Sequence, residues 1–205
     1  MKALLFCLSL FFVSVSHATS VGVVVTLVGD AQWQRAGEVI SLRRGDSVVA
    51  GDRVTTGMDA RLVLRMNEGS VITLGADSQV VFSDWQYQQG SENNHARMEL
   101  VEGVFRFVTG LITQQPQPDL QVATPAGTIG IRGTDFWGGY LQADVLDVIL
   151  LEGEHALVIS NDQGEVVIEQ PGLGVSVVAG EAPQQPKAWS DEKLARAVRS
   201  ISLPQ

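Results

Sequence analysis

Apolar and polar residues alternate with a period of two along most of the chain, and helical spacing is nearly missing before residue 190. Arg61 to Met66 is the cleanest case: Leu62, Leu64 and Met66 share one face and Arg61, Val63 and Arg65 the other, the mark of a half-buried strand. It runs into Asn67-Glu68-Gly69 and returns as Ser70 to Leu74, which predicts a hairpin. Upstream, the β-branched run Val21 to Val28 ends at Gly29-Asp30. Turn signals then follow closely at Ala36-Gly37, Gly45-Asp46, Gly51-Asp52 and Thr56-Gly57.

The strand, Glu-Gly, strand pattern recurs. Met98 and Leu100 lead to Glu102-Gly103 and then Val104 to Val108; Val148 and Leu150 lead to Glu152-Gly153 and then His155 to Ile159. Asn161-Asp162-Gln163-Gly164 is a further turn, with Glu165 to Ile168 and Val175 to Val178 as closing strands. This weak internal repeat predicts an all-β fold, a roll or β-solenoid-like stack of short strands and hairpins, with a β-sandwich as the alternative. Two polar stretches, Gln86 to Ala96 and Thr113 to Asp119 with Pro116 and Pro118, are expected to be exposed, mobile loops.

The pattern changes at Glu181. Residues 181–189 read as a linker, and residues 190–205 hold the one predicted helix and a tail: Ser190 caps it, Asp191 and Glu192 fill an acidic first turn, and Leu194, Ala197, Val198 and Ile201 share a face. A helix of about 11 residues is marginal alone, so it is expected to dock on the β domain of residues 19–180.

Ala123 to Tyr140 (A-T-P-A-G-T-I-G-I-R-G-T-D-F-W-G-G-Y) is the least ordinary stretch. Glycines among β-branched and aromatic residues predict a strand, a corner at Gly133 and another strand, with Thr134 and Asp135 hydrogen-bonding the nearby backbone. Arg132, Thr134, Asp135 and Trp137 are the candidate partner-binding residues.

At the N-terminus, Lys2, an apolar run from Ala3 to Val15 and the small residues Ser16 and Ala18 read as a secretory signal peptide over residues 1–18. A run of about 13 apolar residues is short of the ~20 that span a bilayer, so no stable membrane span is expected after cleavage, and the mature chain from Thr19 is expected in the periplasm. Cys7 is the only cysteine, which removes disulfides, cysteine-ligated zinc and thiol nucleophiles from the mature fold. The net charge of −9 becomes −10 once Lys2 leaves with the leader, which disfavours nucleic acid and anionic membranes as partners.

Catalytic constellations are sparse. The mature chain carries only His95 and His155, and no nucleophile-elbow glycine pattern accompanies a serine. Asp144 and Asp147, or Glu152 and Glu154, are paired carboxylates best read as solvated strand faces. Glu152, Glu154 and His155 form the one metal-like cluster, and strand alternation places His155 opposite the two glutamates. Gly127 to Gly133 is no phosphate loop, since no lysine follows it. The sequence therefore predicts a non-enzyme with no metal and no cofactor. Trp33, Trp85, Tyr87, Trp137 and Tyr140 could line a glycan groove if they are exposed, which keeps a glycan- or peptidoglycan-binding module as the alternative.

Asp52 to Leu74 (D-R-V-T-T-G-M-D-A-R-L-V-L-R-M-N-E-G-S-V-I-T-L), Met98 to Phe107 (M-E-L-V-E-G-V-F-R-F), Ala123 to Phe136 and L-L-E-G at Leu150 to Gly153 together resemble the FecR family, with a core over residues 54–154. The resemblance implies an exported all-β domain without catalysis that binds a protein partner in the envelope of a Gram-negative cell. Signalling members of that family are single-span membrane proteins with a cytoplasmic N-terminal segment. The cleavable leader read here implies a stand-alone exported form.

Overall fold

In the computed structural model, which describes residues 19–203, the alternation at Arg61–Met66 becomes a strand that buries Leu62, Leu64 and Met66 and leaves Arg65 in solvent. The signal-peptide reading of residues 1–18 lies outside the described residues. The first nine strands are β1 (Ser20–Val28), β2 (Ala31–Arg35), β3 (Glu38–Ser41), β4 (Ser47–Val49), β5 (Arg53–Thr56), β6 (Arg61–Met66), β7 (Val71–Leu74), β8 (Gln79–Gln86) and β9 (His95–Glu102). After β10 (Val104–Val108) and a 3-10 turn (Leu111–Gln114) come β11 (Leu120–Thr124), β12 (Gly127–Ile131), β13 (Asp135–Gln142) and β14 (Val145–Glu152). The chain continues through β15 (Leu157–Asn161), β16 (Gly164–Ile168), β17 (Leu173–Val178) and β18 (Lys187–Ala188) to one helix, α1 (Asp191–Ile201). The described residues are all-β with a single short α-helix.

The strands form two nine-stranded sheets, one ordered β18-β17-β14-β13-β10-β7-β6-β1-β4 and the other β16-β15-β12-β11-β9-β8-β5-β2-β3. Their inner faces enclose one core, in which Phe105, Phe136, Phe107 and Trp85 meet at centroid distances of 5.5 to 6.3 Å. The chain keeps passing from one sheet to the other, so sequential strands commonly lie across the core rather than side by side. β9 and β11 pair in parallel, because β10 and the 3-10 turn carry the chain through the opposite sheet between them.

The three Glu-Gly sites divide accordingly. Glu68-Gly69 closes the expected hairpin between β6 and β7, whereas Glu102-Gly103 and Glu152-Gly153 are corners where the chain changes sheet. Periodicity finds all three but cannot tell a hairpin from a crossing, since both need a turn after an alternating strand.

Buried polar side chains hold these passages together. Thr56 Oγ1 donates to Gly75 O at 2.6 Å and accepts from Ser78 N at 2.9 Å. Ser78 Oγ in turn donates to Val104 O at 3.0 Å and accepts from Val104 N at 2.9 Å. At the other end of the sandwich Glu68 is buried: its Oε2 accepts from Ser70 N at 2.9 Å, its carbonyl accepts from Leu111 N at 2.9 Å, and Oε1 has no partner among the described residues. Burial pushes the Glu68 carboxyl above its usual range, against the lowering effect of the Ser70 and Leu111 hydrogen bonds.

Helix α1 docks in cis on the outer face of the first sheet. Ala197 and Ile201 are buried against Val104, Trp137 and Ile149, with Leu194 and Trp189 at the margins. Val198, predicted on the same face, is 45% exposed and lies outside the buried seat. Ser190 caps the helix by accepting from Lys193 N at 3.3 Å, and Lys193 Nζ reaches Asp147 Oδ1 at 2.5 Å and the Ser176 hydroxyl at 3.1 Å. Residues 187–188 of the expected linker add β18 to the sheet edge beside β17.

Close approach of the helix depends on Gly75: a Cβ there would lie 2.5 Å from Ser200 O and 2.4 Å from Val104 Cγ2. Gly75→Ala is therefore expected to lift α1 and cost about 1–3 kcal/mol. A thermal melt would fall, and limited proteolysis would cut residues 181–186 faster than in the native protein; an unchanged melt and cleavage rate would refute this seating.

Glu68 supplies a second test. A raised folded-state value means its contribution to stability is complete below the ordinary glutamate range and is lost as pH rises through the folded value. The melting temperature of the native protein minus that of Glu68→Gln should therefore decline as pH is raised from about 4 to about 7. A difference that is flat or rises with pH would contradict this environment for Glu68.

Candidate functional site

Three passages between the sheets converge at one end of the sandwich: the β10–β11 connection with its 3-10 turn, the β12–β13 corner and the β14–β15 corner. Thr109 and Thr134 tie the first two together, Thr109 N donating to Thr134 O at 3.1 Å and Thr134 N to Thr109 Oγ1 at 2.9 Å. Gly133, at φ +122, lets the second corner close against the other two; a Cβ there would sit 3.4 Å from His155 Nδ1 and 3.5 Å from Thr113 Oγ1. Between these passages lies a cleft of about 580 Å³ whose lining includes Thr113, Gln115, Pro116, Pro118, Arg132 and His155.

The four candidate residues of the sequence part company here. Arg132 is exposed on the cleft and makes no hydrogen bond or ion pair among the described residues. Asp135 is buried at the start of β13, where its carboxylate receives two hydrogen bonds from Arg106, Nε at 2.8 Å and Nη2 at 2.5 Å. The expectation that Asp135 closes its own turn is thus corrected: register places Arg106 opposite Trp137, one step along the same face, so a neighbouring strand satisfies it. Thr134 is 4% exposed and works through its backbone, its own hydroxyl having no partner among the described residues. Trp137 is 1% exposed beneath α1 and donates Nε1 to Ser200 Oγ at 3.1 Å, so it offers no surface while the helix is docked.

Thr109, Thr113 and Gln115 were missed as site residues. Thr113 to Asp119 read as an exposed loop, whereas Ile112 and Thr113 are buried in the 3-10 turn and Gln115 Nε2 donates to Asn94 O at 2.6 Å. The apolar pair Leu111-Ile112 just before the prolines was the available signal. Asn94 also pins the preceding polar loop, accepting from Gln88 N at 2.6 Å. Gln115 Oε1 is a buried acceptor without a partner among the described residues.

Glu152, Glu154 and the cleft-lining His155 are all exposed, and no group of three or more metal-ligating side chains occurs among the described residues. The aromatic residues considered for a glycan do not form an exposed platform. Trp85 and Trp137 are buried, while Trp33, Tyr87 and Tyr140 are half-buried against the core, Trp33 covered further by the Arg35 guanidinium at 4.1 Å. No helix among the described residues is long and apolar enough to cross a membrane.

Two crystal structures of a chain described as a "putative anti-sigma factor" from Parabacteroides distasonis ATCC 8503, at 1.65 and 2.50 Å resolution, share this fold with TM-scores of 0.52 and 0.53 and 14% sequence identity. The similarity covers 70% of this chain and 62% of theirs, so this chain spans less than two thirds of those proteins. No curated protein matches the sequence. The family model described as "FecR protein" matches residues 52–154, half of the chain, running from the buried Asp52 through the cleft-lining corner to the end of the third Glu-Gly site. By that match the chain belongs to the FecR family.

Proposed function

We propose that this protein is a non-enzymatic, periplasmic FecR-type signalling module that acts by binding a protein partner in the cell envelope. The observation that carries the reading is the cleft at the convergence of the three passages, which presents Arg132 on a rigid corner with no internal partner among the described residues. A binding surface needs groups held in place yet unspent, and this one has both. The family supports a regulatory rather than a catalytic role, and the anti-sigma description of the structural neighbours supports signalling through partners. In the cleft that His155 lines, the Thr113 hydroxyl donates to Gly110 O at 2.9 Å, an arrangement that favours binding over nucleophilic chemistry. The leader read at residues 1–18 supports export. A glycan-binding role has no exposed coplanar aromatic pair to recommend it among the described residues.

The test is capture from detergent-solubilised envelope by the mature protein from Thr19, beside a sedimentation assay on purified peptidoglycan. Saturable capture of one envelope protein is expected, weakened about tenfold or more by Arg132→Ala with an unchanged melting temperature. Peptidoglycan binding with no protein captured would overturn the reading.

A further inference from the structure

Within the run Ile131 to Trp137 every residue but one has an internal task. Ile131 and Phe136 are in the core, Gly133 allows the corner, Thr134 ties it to Thr109, Asp135 holds Arg106, and Trp137 seats α1. Arg132 alone is left exposed, among the residues that line the cleft. The chain carries a net charge of −9, yet no aspartate or glutamate lines this cleft. Its other polar side chains are His155, Thr109, Thr113, Gln114 and Gln115. A guanidinium binds a carboxylate through paired, charge-assisted hydrogen bonds. Pro116 and Pro118 give the site a stiff apolar wall.

We infer that the cleft takes a carboxylate carried on an extended segment of the partner protein, with Arg132 gripping the carboxylate; this rests on the protein-partner reading above. A cleft of about 580 Å³ lies within the size range that holds a short peptide stretch. Glutamate or aspartate in that stretch would enter a site where its own charge meets no like charge among the lining residues.

The inference is tested on the mature protein labelled with ¹⁵N-arginine and titrated with the capped pentapeptide acetyl-Ala-Ala-Glu-Ala-Ala-amide, its Gln analogue and sodium acetate. The Glu peptide should move the Arg132 side-chain resonance saturably, with the Gln analogue and the Arg132→Gln variant each binding about tenfold more weakly or worse. Equal binding of the Glu and Gln peptides, unchanged binding by Arg132→Gln, or no saturation at about 10 mM would overturn it. Saturation by acetate as tight as by the Glu peptide would overturn the extended segment and leave a small free carboxylate as the occupant. Arg132→Glu separates the two readings. If it still captures the envelope partner, the carboxylate inference fails and the partner reading stands; if the peptide binds but nothing is captured, the partner reading fails.

Discussion

A chain that keeps leaving one sheet for the other abandons its backbone hydrogen bonds at each passage, and those groups are too deeply placed for water to satisfy them all. The architecture rests on how they are repaired. Thr56 and Ser78 form a relay that binds the ends of three successive crossings at one pole of the sandwich, while Glu68, Ser70, Thr109 and Thr134 do the same at the other. The side chains of Thr56, Glu68, Ser70, Ser78 and Thr109 supply hydrogen-bond partners that the strand ladders do not, and Thr134 contributes its backbone. An unmade bond at such a position costs about 1–3 kcal/mol, a large share of a domain's net stability. The cleft is a by-product of this repair: the second pole is where three passages are tied together with a gap left between them.

Charge is organised with the same economy. Asp52, wholly buried, is held by Arg35 through two hydrogen bonds of 2.6 Å, Asp135 by Arg106, and Asp147 by Lys193. These carboxylates sit within or against the sheets, where removing the cation would strand an anion away from water. The more exposed pair of Arg97 with Asp119 contributes little by comparison. Arg132 lines the cleft and meets neither an acid nor a carbonyl among the described residues.

Strand positions were legible because a strand with one buried face writes period-two alternation into its sequence; Arg61–Met66 and the closing strands needed nothing more. Sheet membership was not, since β10 and β13 are neighbours through register set by residues far apart in the chain. The parallel pairing of β9 with β11 has no local signal at all. Arg132 was found through its place beside a corner glycine, but Asp135 and Trp137 came with it for a reason that misled: polar and aromatic residues after a glycine look like surface until the strand beyond and the helix above are known. Gln115 was hidden by its prolines, which mark a loop without showing that the loop packs. The helix was legible from its cap and its apolar spacing, and only the extent of its seat, which excludes Val198, lay outside the pattern.

The seat of α1 also bears on the order in which the molecule matures. Val104, Trp137 and Ile149 lie on strands that precede the helix in the chain, and β-sheets assembled from distant segments close slowly because each pairing must first overcome the entropy of a long loop. Through that interval the outer face of the sheet carries a bare apolar strip on an otherwise complete surface. Docking of the helix removes it, and the seat exists only once β10, β13 and β14 lie side by side.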